Sequence, residues 1–292
     1  MSLKTVKQYL DFSSRRFKSA GFSNSEKEAL ASLAAAQNKP AVELLAHPEK
    51  KLSLLDHWRA HYFLKKRLNG WSLAALIKKK EFYGREFTVN SQVLIPRPET
   101  ELLVDLVLTE AKKPGPRPDI IDLGTGSGAI IVTVAAELKA AANYYASDIS
   151  RSALKVAQIN GHRLGVNINW RYGDLLSPHQ DVLNASKRLI IVANLPYLTP
   201  EQLTEPSIKR EPLSALVSGA DGLDHYRRLF TQLSNLPKNF TLLAEIDPAQ
   251  TAGIKKLARA SFKKVSLSFF QDYSGQNRFF KLINIERLQD ER

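Results

Sequence analysis

The sequence predicts an α/β fold in which a mostly parallel β-sheet is covered by helices on both faces and is preceded by a small helical bundle. The first observation is an alternation of short apolar runs with helical stretches, which begins after residue 118. The second is an N-terminal region with almost no glycine, whose apolar residues recur every three or four positions. The third is the length of 292 residues, which exceeds one ordinary core and favours two domains.

Residues 1–80 are predicted to form the helical domain, as the spacing of Leu30, Leu33 and Ala34 illustrates. Residues 1–90 hold 17 basic and 8 acidic residues, a net charge of +9 within a total of +13. This excess suits an anionic partner, such as a nucleic acid, a ribosome-associated complex or an acidic protein, although a solvated helix face has the same composition. His57 and His61 lie four residues apart, but no third ligand follows at metal spacing, so no metal site is expected.

Residues 81–98 are predicted to be a β-hairpin linker. Its strands are expected at residues 86–89 and 92–95, separated by Asn90 and Ser91. A helix is expected from Glu99 to about Lys112, and the proline-rich residues 113–118 then interrupt regular structure.

Seven apolar runs in the remaining domain, residues 99–292, are predicted to be strands. Helical stretches that separate most of them indicate right-handed crossovers between parallel strands. The last two runs are joined by residues 271–278, which are too few for a helical crossover, so an antiparallel edge strand is expected. The predicted strands are residues 119–123, 144–147, 168–171, 189–193, 241–246, 265–270 and 279–283.

A glycine-rich turn follows the first strand of this domain and precedes a helix. Glycine permits positive φ and lets a ligand approach the free N–H groups of a helix start. The Gly-x-Gly-x-Gly spacing differs from the dinucleotide fingerprint and lacks the lysine of a P-loop, so neither NAD nor ATP is favoured. The residues expected to contact a nucleotide-like cofactor are Gly124, Thr125, Gly126, Ser127 and Gly128.

Carboxylates reach the same edge of the predicted sheet. Asp148 ends the second strand, where a carboxylate can accept both hydroxyls of an adenosine ribose, and Asp174 follows the third strand. A cofactor with an adenosine but no phosphates is S-adenosyl-L-methionine, and Asp122 could position its ammonium group through the turn. The turn resembles the first motif of class I methyltransferases, which have a Rossmann-like sheet.

A second motif, Asn194-Leu195-Pro196-Tyr197, follows the fourth strand. An amide or exocyclic amine nitrogen is a weak nucleophile that needs orientation, and the Asn194 side-chain oxygen and the Leu195 carbonyl can each accept one of its N–H bonds. Pro196 fixes the direction of that carbonyl, and Tyr197 can stack on the flat acceptor. The tetrad resembles the Asn/Asp-Pro-Pro-Tyr/Phe motif of amino methyltransferases. Since the form with leucine is also usual in ribosomal RNA adenine dimethyltransferases, protein and RNA acceptors both stay open.

Three further segments resemble one known family, and this resemblance favours a protein acceptor over RNA. Residues 93–101, 211–216 and 219–227 resemble the HemK family, the release-factor glutamine methyltransferases. The resemblance covers most of the chain, including the helical N-terminal domain and two shorter segments, residues 81–84 and 272–278.

The resemblance implies methyl transfer from S-adenosyl-L-methionine to the side-chain nitrogen N5 of the glutamine in the Gly-Gly-Gln loop of peptide chain release factors, which leaves S-adenosyl-L-homocysteine. It implies that the N-terminal domain helps to grip this protein substrate. It also implies that Gly124 to Gly128, Asp148 and Asn194 contact the cofactor, and that Asn194 to Tyr197 form the glutamine site.

The sequence departs from the family pattern at two positions. In the family an aromatic residue follows the acidic residue after the third strand, whereas Leu175 follows Asp174 here. The first proline of the family's tetrad is replaced by Leu195. Arg97 and Glu99 are expected either to order the acceptor loop or cofactor, or to form an interdomain salt bridge.

Two other functions stay open. One is an amino methyltransferase of RNA or DNA, of the N6-adenine type, which the basic N-terminal region motivates. The other is a binding protein without enzymatic activity, which would not bind the cofactor.

Composition limits the remaining classes. The chain has no cysteine, which excludes disulfides and cysteine nucleophiles and suits a reducing compartment. No apolar run is long enough for a membrane span, and residues 1–20 do not resemble a signal peptide. We therefore expect a cytoplasmic monomer with no metal and no membrane contact, in which the basic region can make a weak ribosome or RNA contact.

Overall fold

The computed structural model describes residues 4–204, 210–236 and 239–284. The chain divides into two compact units. The first comprises Met1–Lys78 and Glu205–Arg210, and the second comprises Lys79–Thr204 and Glu211–Arg292.

Helices make up the first unit, as predicted. The first helix begins with a capping box, in which Thr5 Oγ1 accepts the Gln8 N–H at 3.2 Å and Gln8 Oε1 accepts the Thr5 N–H at 3.0 Å. Tyr9, Leu33 and Leu44 are buried together in the core of this unit. The helices are α1 (Val6–Ser19), α2 (Ser25–Gln37), α3 (Ala41–Ala46), α4 (Leu54–Leu68) and α5 (Leu73–Ile77).

The β-hairpin lies earlier in the chain than predicted. Strands β1 (Lys79–Phe82) and β2 (Arg85–Thr88) pair antiparallel around Tyr83 and Gly84, which have φ values of 52° and 66°. Two central residues with positive φ form the turn geometry that matches the twist of paired strands, so this dipeptide sets the register.

The predicted strand at residues 86–89 matches β2 to within one residue, but its predicted partner at residues 92–95 was wrong, because β2 pairs with β1 instead. Residues 92–95 have no regular secondary structure, although Val93 and Ile95 are buried. The Ile95 N–H donates to Glu211 Oε2 at 3.0 Å instead of to a strand partner. Burial, and not strand pairing, explains the apolar residues that suggested the second strand.

The second unit contains the predicted seven-stranded sheet, with order β5-β4-β3-β6-β7-β9-β8. The five strands from β3 to β7 are parallel, and β9 pairs antiparallel with both β7 and the edge strand β8. Each strand lies within two residues of its predicted bounds. The strands are β3 (Asp119–Leu123), β4 (Asn143–Asp148), β5 (Asn169–Tyr172), β6 (Leu189–Ala193), β7 (Phe240–Glu245), β8 (Val265–Gln271) and β9 (Asn277–Asn284).

Helices cover both faces of this sheet. In β6, Ile191 belongs to a core shared with Leu229 and Ile254, whereas the adjacent Ile190 belongs to a core shared with Leu103 and Ile131. Successive strand residues therefore face opposite cores, and both faces are apolar, as in a buried parallel sheet. The helices are α6 (Glu101–Ala111), α7 (Ala129–Leu138), α8 (Arg151–Arg163), α9 (Gln180–Ala185), α10 (Asp224–Ser234) and α11 (Thr251–Ser261).

Strand order reverses between β3 and β6, because β4 and β5 extend the sheet on one side while β6 and β7 extend it on the other. A crevice opens outside the carboxyl ends of parallel strands at such a switch point. The glycine turn follows β3 and Asn194 follows β6, so both motifs lie at this crevice.

Candidate active site

Backbone conformation explains the glycines of the turn after β3. Gly124, Gly126 and Gly128 have φ values of 66°, 55° and 79°. Space is also limited, because a Cβ atom on Gly124 would lie 3.2 Å from Leu195 Cδ2 and one on Gly128 would lie 3.1 Å from Ala157 Cβ. The turn therefore packs against the acceptor tetrad on one side and against α8 on the other, with its N–H groups at the start of α7.

Asp148 joins the glycine turn to the end of β4. Its Oδ2 accepts the Gly126 N–H at 2.9 Å and its Oδ1 accepts the Ser150 N–H at 2.8 Å. Burial raises the pKa of the Asp148 carboxyl, while these two N–H groups lower it. A carboxylate oxygen can accept a further hydrogen bond, so Asp148 keeps capacity for the hydroxyls of a ribose.

Asp122 lies beneath the turn and is fully buried. Thr125 Oγ1 donates to its Oδ2 at 2.6 Å, and its Oδ1 has no hydrogen-bond partner within the described part of the chain. Burial raises the pKa of Asp122 to about 7, with a smaller contribution from the charge of Asp148, while the Thr125 hydroxyl lowers it. Asp122 therefore reaches the turn through Thr125.

Residues after β5 form a further wall. Asp174 forms an ion pair with Arg228, and both line the same cavity. Leu175 is buried and has a φ of 49°, which is unusual for a residue with a side chain, and its carbonyl accepts the Ser147 hydroxyl at 3.0 Å. The family's aromatic position thus carries an aliphatic side chain in a constrained backbone.

Asn194 holds its amide nitrogen toward the protein interior. The Nδ2 atom donates to Glu245 Oε2 at 3.0 Å and to Thr100 Oγ1 at 3.2 Å. The Oδ1 atom is buried and lacks a hydrogen-bond partner among residues 4–204, 210–236 and 239–284. A buried carbonyl oxygen without a partner is rare in native proteins, and this one belongs to a cavity-lining residue.

Glu245, at the end of β7, accepts hydrogen bonds from Asn194 and from two further side chains. Thr100 Oγ1 donates to its Oε2 at 2.7 Å and the Tyr197 hydroxyl donates to its Oε1 at 3.3 Å. Burial raises the pKa of Glu245 to about 7, against the lowering effect of Thr100, the Arg278 charge and Tyr197. Burial also raises the pKa of Tyr197 well above its usual value.

The segment around Gly222 packs against the backbone of the tetrad at Tyr197. Gln250 Nε2 donates to the Tyr197 carbonyl at 2.8 Å and to the Asp221 carbonyl at 3.2 Å. A Cβ atom on Gly222 would lie 2.1 Å from the Tyr197 carbonyl oxygen, so this glycine cannot be replaced without displacing the tetrad. This contact gives a physical reason for one of the family-like segments, residues 219–227.

Arg97 pairs with Glu211, which also belongs to the second unit. Arg97 Nη2 donates to Glu211 Oε1 at 2.6 Å, while Ile95 N–H donates to Oε2. Both partners belong to the second unit, so the expected interdomain salt bridge is corrected to a bond within one unit. Glu99 is exposed, and its charge acts on the pKa of Glu245 by raising it.

A cavity of about 220 Å³ brings most of the predicted site residues together. Its lining includes Arg97, Gly124, Thr125, Gly126, Ser127, Asp148, Asp174, Leu175, Asn194, Leu195 and Pro196. Of the other predicted residues, Asp122 contacts Thr125, Gly128 precedes α7, Tyr197 contacts Glu245 and Glu99 is exposed. The cavity therefore combines the residues predicted for the cofactor with those predicted for the acceptor.

A larger hollow of about 1020 Å³ lies at the opposite, amino ends of β4 and β5. Arg117, Lys139, Tyr144 and Trp170 are among its lining residues. Ligands of open α/β sheets bind outside the carboxyl ends of the strands, so the smaller cavity is the candidate active site.

Three residues of this site were not predicted from the sequence: Thr100, Glu211 and Glu245. Glu245 could have been found by the rule that identified Asp148, because both are carboxylates at the carboxyl end of a parallel strand. Thr100 and Glu211 lie within segments that carry the family resemblance, but neither has a local signal of its contacts.

Two negative results concern the described residues. No group of three or more histidine, cysteine, aspartate or glutamate side chains among them could hold a metal ion. No helix in the described ranges is long and apolar enough to cross a membrane.

The sheet order, the glycine turn and the strand-end carboxylate define a class I S-adenosylmethionine-dependent methyltransferase. A family model described as a methyltransferase domain matches residues 120–207. The release factor glutamine methyltransferase of Bacillus subtilis (strain 168) is 37% identical over 244 residues, which cover 81% of this chain and 83% of that protein.

The protein of the same name from Moorella thermoacetica is 36% identical over 281 residues, 94% of this chain and 97% of that protein. That from Dictyoglomus turgidum is 37% identical over 223 residues, 74% and 77% of the two chains. The chain belongs to the release factor glutamine methyltransferase family.

Proposed function

We propose that this protein methylates the side-chain nitrogen N5 of the glutamine in the Gly-Gly-Gln loop of a peptide chain release factor. Family membership supports the substrate class. The observation that carries the proposal is the buried, unpartnered Oδ1 of Asn194, a residue that lines the cavity, because an acceptor of this kind matches an amide N–H donor. In the reaction a bond forms between the glutamine nitrogen and the methyl carbon, the bond from that carbon to sulfur breaks, and one N–H proton is lost to water.

The residues assigned to the cofactor lie at or just after the carboxyl ends of β3, β4 and β5. Asp148 would hold the ribose hydroxyls, and the turn from Gly124 to Gly128 would contact the cofactor through its backbone. Asp122 would act on the ammonium group through Thr125, and Asp174 and Leu175 would form the wall near the adenine. When bound there, S-adenosyl-L-methionine would supply an electrophilic methyl group, and the product would be S-adenosyl-L-homocysteine.

The acceptor site orients a weak nucleophile. Asn194 Oδ1 and the Leu195 carbonyl each accept one N–H of the glutamine amide, and Pro196 restricts the backbone that carries this carbonyl. These two oxygens also stabilise positive charge that develops on nitrogen during transfer. Tyr197 is assigned to stacking on the amide plane, and Arg97 and Glu99 to ordering the loop that surrounds it.

Labelled-methyl transfer tests the proposal directly. Purified protein is incubated with methyl-labelled S-adenosyl-L-methionine and three separate acceptors: the release factor, its Gly-Gly-Ala loop variant and ribosomal RNA. We expect label on the intact release factor alone, and at least a hundredfold less label with Asn194→Ala. Label on RNA and none on protein would instead support the alternative, an RNA amino methyltransferase.

We further propose that residues 1–80 form the substrate-recognition domain, joined through residues 81–98 to the methyltransferase domain, residues 99–292. A cytoplasmic monomer is proposed, because the chain lacks cysteine and its family acts on a translation factor. Light scattering of the purified protein would test the monomeric state, with a mass near 32.7 kDa expected.

A weak RNA contact through the basic region is proposed as a separate property. Trp58 and Tyr62 on α4 stack with ring centroids 6.0 Å apart and are 66% and 44% exposed. Lys66 Nζ lies 4.8 Å from the ring centroid of Trp71, and exposed aromatic rings beside cations suit single-stranded bases. Binding to a single-stranded RNA should weaken steeply with salt and be reduced at least fivefold by Trp58→Ala; affinity that does not depend on salt would refute an RNA contact.

A further inference from the structure

We propose that Thr100 and Glu245 are positioning residues that determine which end of the Asn194 amide faces the methyl acceptor. This inference rests on the proposed function, since only an acceptor that donates N–H bonds requires an oxygen at that position. It assigns a role to a strand-end carboxylate and a helix-entry hydroxyl for which no role was predicted from the sequence.

An asparagine side chain can present either its oxygen or its nitrogen in one direction, because a rotation of χ2 by 180° exchanges two ends of nearly the same shape. Neighbouring donors and acceptors therefore decide the orientation. In this site the two neighbours of one end of Asn194 are Glu245 Oε2 at 3.0 Å and Thr100 Oγ1 at 3.2 Å.

Thr100 removes the ambiguity. Its hydroxyl carries a single proton, which is donated to Glu245 Oε2 at 2.7 Å. The hydroxyl oxygen therefore turns a lone pair toward Asn194, and Oε2, which already accepts a proton, also offers a lone pair. Two acceptors face the same end of the amide, so that end must be Nδ2 and the other end must be Oδ1.

The orientation has a direct consequence for the acceptor. Oδ1 is left unpartnered among the described residues and can accept a glutamine N–H. A reversed amide would turn its own NH₂ group toward the incoming NH₂ group, and donors facing donors cannot form a hydrogen bond. Thr100 and Glu245 thus act on the reaction through Asn194 and do not need to touch either substrate.

The role depends on the acceptor atom at the Oε2 position and not on the negative charge. A glutamine at 245 can keep its oxygen there and donate its nitrogen to the Tyr197 hydroxyl, which lies 3.3 Å from Oε1. Glu245→Gln should therefore stay within about threefold of normal kcat, whereas Glu245→Met, of similar volume, should lower kcat at least tenfold. By the same reasoning, Thr100→Ser should be near normal and Thr100→Val impaired.

A second pair of variants reverses the polarity of the contact. Asn194→Asp places a carboxylate against Glu245 and should lower kcat at least thirtyfold. In the double variant Asn194→Asp/Glu245→Gln, the glutamine can donate to one carboxylate oxygen and leave the other for the acceptor. We expect the double variant to be at least fivefold more active than Asn194→Asp alone.

The experiment measures kcat and KM for the release factor in all variants, together with the dissociation constant of S-adenosyl-L-methionine. Cofactor affinity within twofold of normal shows that each Thr100 or Glu245 variant keeps its fold, and a single variant of these two residues outside that limit is replaced by the polarity-reversed pair. Normal kcat in both Glu245→Met and Thr100→Val, or no gain in the double variant, would overturn the positioning role. Failure of the unaltered protein to label any release factor would count against the proposed function instead.

Discussion

The backbone N–H of Gly126 donates to Asp148 Oδ2 across 2.9 Å, which fastens the turn after β3 to the carboxyl end of β4. Because the same carboxylate accepts the Ser150 N–H through its other oxygen, one side chain fixes two loops of the cavity. The residue assigned to the ribose is therefore also the residue that shapes its surroundings.

Asp148→Asn should weaken cofactor binding about 10- to 100-fold, because an amide retains one acceptor oxygen and no charge, and a hydrogen bond to a charged group contributes roughly 1.5–3 kcal/mol. Isothermal titration with S-adenosyl-L-methionine measures the effect. Asp11→Asn, at an exposed position on α1, is the matched control and should leave the affinity unchanged. Equal affinities for the two variants would remove Asp148 from the cofactor site.

Gly128→Ala should destabilise the protein more than Gly165→Ala does. Both glycines have positive φ, 79° and 68°, so each substitution carries a strain of roughly 1–2 kcal/mol. Only Gly128 is crowded, with Ala157 Cβ 3.1 Å and Val132 Cγ2 3.2 Å from an added Cβ, which should add about 1 kcal/mol or more. Urea unfolding compares the two free energies, and identical losses would show that the contact with α8 relaxes freely.

His179 should make the protein sensitive to acid. Burial, followed by the charge of Arg171, lowers the pKa of His179 to about 4, while Asp181 opposes this effect. An unfolded histidine binds a proton below about pH 6.5, so this group contributes stability above that pH and the contribution is lost as pH falls through about 4. The loss over that window should be about 3 kcal/mol.

His179→Leu isolates this contribution. Asp122 and Glu245, whose pKa values are raised to about 7, act in the opposite sense, since their stability contributions are present below about pH 4 and are lost as pH rises through about 7. As pH falls from 6.5 to 4, the unaltered protein should therefore lose more unfolding free energy than His179→Leu does. The exposed His61→Gln serves as the control, and parallel pH curves for His179→Leu would contradict the prediction.

Glu211→Gln should loosen the cavity wall formed by residues 95–97. The buried carboxylate accepts from both Arg97 Nη2 and the Ile95 N–H, whereas a glutamine can satisfy only one of them through its oxygen. We expect a loss of about 1–3 kcal/mol and faster hydrogen exchange at the Ile95 amide. Glu137→Gln, which breaks the more exposed ion pair with Arg85, should lose less than about 1 kcal/mol. An unchanged Ile95 exchange rate would show that this wall does not depend on Glu211.

Strand positions were predictable because a buried parallel strand is a continuous apolar run, as in β3 and β6, where every residue but one is fully buried. The hairpin was misplaced because residues 92–95 have the apolar pattern of a strand, although their burial comes from packing. The Tyr83-Gly84 dipeptide was the better signal, since positive φ at both residues is a requirement of the turn.

The two motifs of the site were predictable because each is contiguous in sequence. The Thr100, Asn194 and Glu245 cluster was not, since Thr100 and Glu245 are 145 residues apart and hydrogen-bond only because α6 and β7 lie near β6. Periodicity and turn chemistry describe neighbours along the chain, and they contain no information about which distant side chains form hydrogen bonds with each other.

The unpartnered oxygen of Asn194 also limits what can be modified. A glutamate in place of the target glutamine would bring carboxylate lone pairs against the lone pairs of Oδ1, with no proton between them. A release factor whose target glutamine has been hydrolysed to glutamate would thus be refused, so this site distinguishes an intact amide from its deamidated, chemically aged form.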